Sequence, residues 1–537
     1  MASLRQQLSY SRNTILKLTL VTAVLLTGHA RLRGQEVILE RMDQGMASLN
    51  GPAVAFGDFD DDGDMDILVS GNTAVEFPVP ITRVYIGLGE SMRVPPGGGL
   101  PRWFRDFEER GLGISAVWIG AIAWLDANRD GRLGEFVISG ARNADPPYTA
   151  QAATYRADGS GFTQTSDGFV GLLGGSVDVG DYNNDGRDDL LLTGSDGASY
   201  RSMLYVGSGS GQLTPSPISL PGVGLGDGRF GDYDGDGDLD IFLVGDSDAG
   251  LVAHLLRNDR GQAFLEVPTP ILPVVFASAD WGDYDADGDL DLLVAGARLS
   301  PVLAEGQTNV YRNDGDGIFT AIQATIEGTY HGFARWGDMD NDGLLDIVQA
   351  GGSGVTRFDR SGQIYLNRGS DQFEFAFNIS GLRISAGDLG DYDGDGDLDL
   401  VQLGQGIVAL YRNEHYLLEN PPPLPLGRPD PPSDLQSAVD GNAVTLSWSP
   451  GSDEQTPEEG LSYNIRVGTV PGSVDIVAPL AHPSNGKRKV SRLGNVQTNH
   501  AWTIRGLGPG TYYWSVQTLD TSFSGSDFAG DQTFVIQ

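Results

Sequence analysis

Seven times between Phe56 and Gly404 the chain writes a variant of GDYDGDGDLDLLVAG, and this repeat constrains its fold more than any other feature. The first aspartates of the copies are Asp58, Asp126, Asp181, Asp232, Asp283, Asp338 and Asp391, separated by 68, 55, 51, 51, 55 and 53 residues. A period of this length marks a repeat architecture, in which one unit cannot bury its apolar face without its neighbours.

In the fourth copy Asp232, Asp234 and Asp236 alternate with Tyr233 and Gly235, and Gly237, Asp238, Leu239 and Asp240 follow. The pattern is D-x-D-x-D-G-x-x-D, ahead of an apolar run at 241–244 and Gly245. Alternate carboxylates on a tight loop can converge on one hard cation, and Ca²⁺ takes about six to eight oxygens in flexible geometry. Gly237 permits the bend and Asp240 closes the shell. Without a cation, five carboxylates within nine residues repel one another at close range. An EF-hand begins similarly but needs a Glu at loop position twelve between two helices. Here that position is Leu243, and the flanks are β-type runs ended by Gly.

Five further copies keep the ligand positions: Asp58/Asp60/Asp62/Asp66, Asp181/Asn183/Asp185/Asp189, Asp283/Asp285/Asp287/Asp291, Asp338/Asp340/Asp342/Asp346 and Asp391/Asp393/Asp395/Asp399. Six loops in register predict six calcium sites. The second copy has Asp126, Asn128, Asp130 and Gly131, but Gly134 stands where the closing Asp belongs. Counted back from Gly140, Glu135 takes the closing place, so this loop has gained one residue. A weak site is expected there.

After each loop comes an apolar residue followed, in most copies, by Tyr: Val84-Tyr85, Thr154-Tyr155, Leu204-Tyr205, Leu255-Leu256, Val310-Tyr311, Ile364-Tyr365 and Leu410-Tyr411. Each unit thus supplies about four short strands joined by Gly/Asp/Asn turns, as a β-propeller requires. The last unit runs into Pro421, Pro422 and Pro423 without an outer strand of its own, whereas residues 36–46 resemble one. The N-terminal strand is therefore expected to complete the last unit. Three residues before the first loop Asp stand Asp178, Arg229, Asp280, Arg335 and Asp388, which predict a ring of ion pairs around a central channel, against the alternative of a polar ligand pocket. Beside them Phe56, Trp124, Val179, Phe230, Trp281, Trp336 and Leu389 form the complementary apolar face.

The net charge of -37 argues against nucleic acid as a partner. There is no Cys, which excludes disulfides, thiolate metal sites and Cys nucleophiles. Arg5, Arg12 and Lys17 precede an apolar run at 18–26, with Gly28 and Ala30 placed for cleavage, so residues 1–30 read as a secretory signal. No run is long enough to span a bilayer. The expected product is secreted, extracellular or at the cell-envelope surface, and monomeric.

The repeats resemble FG-GAP/VCBS-type repeats, the units of integrin α-subunit propellers, over residues 36–419. The resemblance implies Ca²⁺ held within each unit, on the face opposite the ligand-binding one. Residues 420–432 form a Pro-rich linker. In 433–537, alternating strands at 442–450, 461–468 and 507–520, with Trp448 and a TYYWSV strand, look like a fibronectin type III domain, with Tyr512 at the tyrosine corner. Such modules serve as spacers, although the stretch 470–498 is long and irregular for one. The fold class is all-β: a seven-bladed β-propeller with calcium-binding loops, then a small sandwich.

Chemistry has little to stand on. The six His residues form no H-x-x-H pair, and neither a G-x-S-x-G elbow nor a P-loop is present. A projecting platform for sugar or peptide is placed at Trp103 and Phe104 beside Arg102 and Arg105, against the alternative of a longer loop folded onto its unit. The expected function is binding of glycan or of an extracellular protein. A polysaccharide-processing lyase or hydrolase on a propeller scaffold, or a structural surface protein, are the competing classes.

Overall fold

The computed structural model describes residues 31–33, 38–42, 46 and 49–537, apart from breaks at 74–78, 94–101, 111–112, 144, 159–160, 167, 300–303, 316, 355–358 and 414–426. The expected leader lies outside the described residues, as does most of the Pro-rich linker. Among the described residues the chain is all-β, and no helix is long and apolar enough to cross a membrane.

Each repeat folds into an antiparallel sheet whose strands follow chain order. In the fourth copy these are Gly224–Gly231, Asp240–Ser247, Gly250–Asn258 and Phe264–Val267. The first strand runs into the Asp loop, and the closing Asp begins the second, so Gly231 pairs with Asp240. Residues 31–413 form seven such sheets among the described residues. In the last, Ser385–Gly390, Asp399–Gly404 and Ile407–Asn413 are followed by Ile38–Met42, with Leu39 opposite Asn413 and Met42 opposite Leu410. Arg31–Arg33 adds a fifth strand. The beginning of the chain thus completes its last sheet, as the orphaned outer position implied, and Leu39 is fully buried there.

First strands of successive sheets lie side by side, and Ser385–Gly390 returns to Leu49–Gly57, so the sheets close a propeller-like ring. The glycine before each loop has a steric reason. A Cβ on Gly231 would lie 2.5 Å from the Trp281 ring of the next sheet, and one on Gly282 would lie 2.8 Å from Trp336. Gly57 meets Trp124, Gly180 meets Phe230 and Gly390 meets Phe56 in the same way. Where the second copy has Leu125 instead, the next sheet offers the smaller Val179 in the same core cluster. The apolar face read from the sequence is therefore the buried wedge between sheets.

The distal Tyr is structural too. Tyr155, Tyr205, Tyr311, Tyr365 and Tyr411 are buried, and their hydroxyls accept backbone N–H groups of Ser115, Val170, Leu272, Glu327 and Ser380. These bonds fix the segments that lead into or out of each sheet.

Residues 433–537 form two three-stranded antiparallel sheets, Ser433–Asp440/Ala443–Ser449/Ala501–Ile504 and Ser462–Gly468/Gly510–Leu519/Gln532–Ile536. Trp448 packs against Tyr463 and Trp514 between them. The Tyr512 hydroxyl donates to the Gly508 carbonyl at 2.8 Å. The irregular stretch 470–498, out of place in a spacer, is seated on the ring. Val490 and Leu480 enter one inter-sheet cluster, Leu493 two others, and Val477 and Val496 join a cluster continuous with the sandwich core.

Candidate metal loops and the opposite mouth of the ring

Each Asp loop is wound by two left-handed residues. In the first they are Asp61 (φ 68°) and Gly63 (φ 90°), and in the sixth Asn341 (φ 54°) and Gly343 (φ 89°). That winding turns backbone donors onto the first carboxylate. Asp232 accepts from Asp236 N at 3.1 Å and Gly237 N at 2.8 Å, while Asp283 accepts from Asp287 N at 3.0 Å and Gly288 N at 2.9 Å. The closing Asp is held from the other side. Asp291 accepts from Tyr284 N at 3.0 Å and Asn313 N at 2.7 Å, and Asp346 and Asp399 repeat the pattern with Asn367 and Asn413. The amides of these Asn residues donate to the preceding loop, as Asn258 does to the Tyr182 carbonyl at 2.7 Å.

Carboxylates therefore converge, and several keep an oxygen without a protein partner. Asp58 Oδ1, Asp189 Oδ2, Asp234 Oδ1, Asp285 Oδ1 and Asp393 Oδ1 are buried with no hydrogen-bond donor among the described residues. Asp58/Asp60/Asp62, Asp232/Asp234/Asp236, Asp283/Asp285/Asp291 and Asp338/Asp340/Asp346 bring ligand oxygens within 4.8 Å of one another. Burial, reinforced by neighbouring carboxylates, pushes Asp66 and Asp240 up to about 9 and Asp181 and Asp283 to about 8. Orphaned buried oxygens in an all-oxygen set are what a hard divalent cation satisfies. The residues fit Ca²⁺, which would supply the missing charge and cross-link strand to loop.

Two of the expected ligands meet protein donors as well. Asn183, the amide in the third loop, accepts the Asp185 N–H on its Oδ1 at 3.0 Å, a donor it shares with Asp181 Oδ1. Asp342 in the sixth loop is exposed, and both of its oxygens face protein donors. Its Oδ1 accepts from Leu344 N at 3.1 Å, and its Oδ2 lies 3.5 Å from Arg368 Nη1. The converging set in that loop is Asp338, Asp340 and Asp346, without Asp342. The same Asx turn recurs in the fourth and fifth loops, and Arg368, just past the third strand of the same repeat, reaches Asp340 Oδ2 at 3.1 Å as well as Asp342 Oδ2.

The second loop differs at the closing position. Glu135 occupies it by register, opposite Leu125; Arg156 pairs with its Oε1, while its Oε2 is buried without a hydrogen-bond partner among the described residues. The Asn128 amide donates to Asp130 Oδ2 at 3.0 Å, tying up a second ligand position. A protein cation already neutralises the acid that would close the shell.

The first strands surround a central cavity of about 450 Å³. The predicted charges line it, but they are not a simple ring of ion pairs. Asp178, Asp280 and Asp388 accept the N–H of Phe230, Trp336 and Phe56 from the next sheet at 2.8, 3.0 and 2.8 Å. Arg229 lies 3.1 Å from Asp227 on its own strand and 3.8 Å from Asp178, and Arg335 donates to Ser278 Oγ at 3.0 Å. Asp227, which the sequence reading did not single out, lies just past a bulge and in regular register two residues before Arg229. The segment 490–497 of the C-terminal domain lines one end of the cavity.

Opposite the Asp loops, where the first strands begin, the structure shows what no motif announces. Each of these strands starts at a left-handed residue: Gly51, Ile119, Gly174, Leu225, Phe276, His331 and Ile384, with φ between 46° and 61°. Five are bulky and two are β-branched, types that rarely adopt this conformation. They are linked by backbone bonds, Gly174 N to Ile119 O at 2.9 Å, Leu225 N to Gly174 O at 2.5 Å and Ile384 N to His331 O at 2.6 Å. Phe276 stacks on the His331 ring at 4.0 Å, and Trp118 meets Tyr148 edge-on at 5.5 Å. Burial and Arg383 lower the His331 pKa to about 4, and its buried Nδ1 has no donor or acceptor among the described residues.

The predicted platform falls in Arg102–Arg110, which pairs with Pro80–Arg93 so that Met92 faces Trp103 and Ser91 faces Phe104. The two outer strands of the first sheet thus extend as a long hairpin. The side chains of Arg102, Trp103, Phe104 and Arg105 lie outside the described residues.

The model of the FG-GAP-like repeat matches residues 181–243, 232–294 and 297–349. Among solved structures, a mutant Aleuria aurantia lectin in complex with alpha-methyl-L-fucoside is 13% identical, covering 62% of this chain and 97% of its own, at a TM-score of 0.33. An exo-beta-1,3-galactanase from Clostridium thermocellum is 11% identical, covering 82% of this chain and 92% of its own, at 0.28. Likenesses at this level transfer neither a ligand nor a reaction.

Proposed function

We propose that the chain is a secreted, calcium-stapled seven-bladed propeller with a C-terminal fibronectin type III-like module, and that it binds glycan at or outside the cell envelope. Its domains run 1–30 (signal), 36–419 (propeller), 420–432 (linker) and 433–537 (module). The observation that carries the binding role is the collar of strained, bulky residues at the mouth opposite the Asp loops. Strain of this kind persists only where surrounding structure over-determines it, and it gathers at ligand sites. Half-buried Phe276, His331 and Trp118 with exposed Tyr148 suit the apolar faces of sugar rings, and the charged channel behind them suits hydroxyl groups. The Asp loops are scaffold in this reading, because their carboxylates turn inward onto their own backbone.

The test is a screen of the calcium-loaded protein against glycans and extracellular proteins, repeated with Phe276→Ala. Glycan binding lost in that variant supports the reading. Binding only to proteins, or glycan binding indifferent to Phe276, overturns it, and release of shortened products from a polysaccharide would assign an enzyme instead.

A further inference from the structure

The C-terminal domain reaches the Asp-loop face through a segment of unusual charge. In an acidic chain, residues 481–505 contain five Lys/Arg and no Asp or Glu. Lys489 Nζ lies 2.6 Å from Asp61 Oδ1, and Arg505 Nη1 lies 2.7 Å from Asp238 Oδ1. These ion pairs bring the domain to the ring. Two neutral side chains go further, to the metal-ligand carboxylates themselves.

Asn499 Nδ2 donates to Asp232 Oδ2 at 2.9 Å, and Thr521 Oγ1 donates to Asp338 Oδ2 at 2.9 Å. Both accepting groups are the first aspartate of a loop. The same aspartates have their own N–H groups capped by this domain, Asp232 N by Gln497 Oε1 at 2.7 Å and Asp338 N by the Thr521 carbonyl at 3.4 Å. Asp181, Asp283 and Asp391 receive no such bond from the C-terminal domain among the described residues; their donors are backbone N–H groups of their own loops. In the first loop the contact is His482, whose Nε2 lies 2.8 Å from Asp58 Oδ2 and whose Nδ1 lies 3.3 Å from Asp61. With Lys489 beside it, that site receives protein charge that competes with a cation.

We infer that Asn499 and Thr521 are positioning residues for the cations of the fourth and sixth loops, so that calcium binding there and docking of the C-terminal domain strengthen each other. The inference rests on the reading of the loops as calcium sites. A ligand carboxylate with one oxygen held by a neutral outer donor is oriented before the cation arrives, and loss of such a partner costs about 10–100-fold in metal affinity. Linkage makes the effect reciprocal: calcium must tighten docking by the same factor. The C-terminal domain is then a cap that senses calcium, not a spacer.

The full-length protein carrying Asn499→Ala and Thr521→Val is titrated with Ca²⁺ by calorimetry, beside the wild type and a Ser522→Ala control. Ser522 donates to Asn341 Oδ1 at the sixth loop tip without touching the first carboxylate. Two sites weaken about tenfold in the double variant, one in Asn499→Ala alone, and none in the control. Hydrogen exchange of residues 488–505 is followed in the same samples. In the double variant their protection returns only at about tenfold higher Ca²⁺. A purely structural loss would leave that protection low at every concentration. If the wild type shows no binding heat, the calcium reading itself fails. If the wild type binds and the double variant gives the same isotherm, the coupling is overturned.

Discussion

The two ends of the ring are built by opposite means. Within the seven Asp loops, every left-handed residue is Gly, Asp, Asn, Ala or Arg, and the carboxylates are met by backbone N–H groups or protein cations, or keep a buried oxygen without a donor among the described residues. At the other end seven left-handed residues, half as many, mark the starts of the first strands, and there they include Ile, Leu, Phe and His. One end relieves its conformational cost with polar contacts and a second domain. The other holds bulky side chains in a costly conformation. On the proposed function, stability belongs to the first end and recognition to the second, and the contrast can be tested at both.

The largest effect is expected from removing the cation. At millimolar Ca²⁺ and a dissociation constant near 10⁻⁴ M, one site contributes about 1.4 kcal/mol to the folded state. Six independent sites give roughly 8 kcal/mol, comparable to the net stability of a whole domain. Calorimetry in chelator should therefore show a deep loss of melting temperature. A melting temperature indifferent to chelator would break the contrast at its first term.

Next in size is the wedge just inside the Asp-loop end. Gly231→Ala places a methyl group 2.5 Å from the Trp281 ring, an overpacking that costs about 1–3 kcal/mol. Trp281→Val, costly alone, should cost less in the Gly231→Ala chain, because the second and third sheets already place Leu125 and Val179 in one core cluster. A double-mutant cycle in denaturant measures the coupling, and strict additivity would refute the wedge.

That wedge shows how legibility is distributed. The repeat, the Asp positions of the loops, the unused outer strand and the inner-strand aromatics were all readable, because each is a local pattern with a fixed period. Which of those positions keep an oxygen for a cation was less so. Asn183 and Asp342 sit in register with the other ligands, yet an oxygen of each accepts a backbone N–H, and Arg368, just past the third strand of the same repeat, reaches Asp342. The glycine before the loop was readable as part of the motif, although its cause lies in the neighbouring sheet. The collar was not. Nothing in the residue types of Ile119 or Ile384 announces a left-handed backbone, which the ring imposes through bonds between neighbouring sheets. Docking of the C-terminal domain left one trace, the basic run 481–505, but fibronectin-like strands around it suggested a spacer. The weakness of the second loop was legible from Gly134 and Glu135, whereas the neutralising partner Arg156 needed the structure.

A smaller effect, and of opposite sign, is expected at the collar. Ile384 has φ 52° and is 44% exposed, so it keeps little burial to offset its strain. A left-handed conformation costs an L-residue roughly 1–2 kcal/mol. Ile384→Gly should raise the unfolding free energy by about 1 kcal/mol, measured by urea denaturation at saturating Ca²⁺. A destabilised variant would mean that the collar is ordinary packing, and the division of labour between the two ends would fall.

The last effect is a pH dependence at the collar. His331 is held neutral by burial and by Arg383, its pKa lowered from 6.5 to about 4. A depressed imidazole stays uncharged in the fold while the unfolded chain takes up a proton. Its contribution to stability is therefore fully present above pH 6.5 and is lost as the pH falls toward 4. His331→Gln removes that proton uptake but keeps a polar side chain in place. The stability difference between wild type and variant, followed in Ca²⁺ from about pH 7 to about pH 4.5, should shift against the wild type as the pH falls. Because the Asp loops titrate alike in both proteins, their contribution cancels in the difference. A difference that stays constant across that range would place the charge sensitivity of the molecule at the Asp-loop end alone.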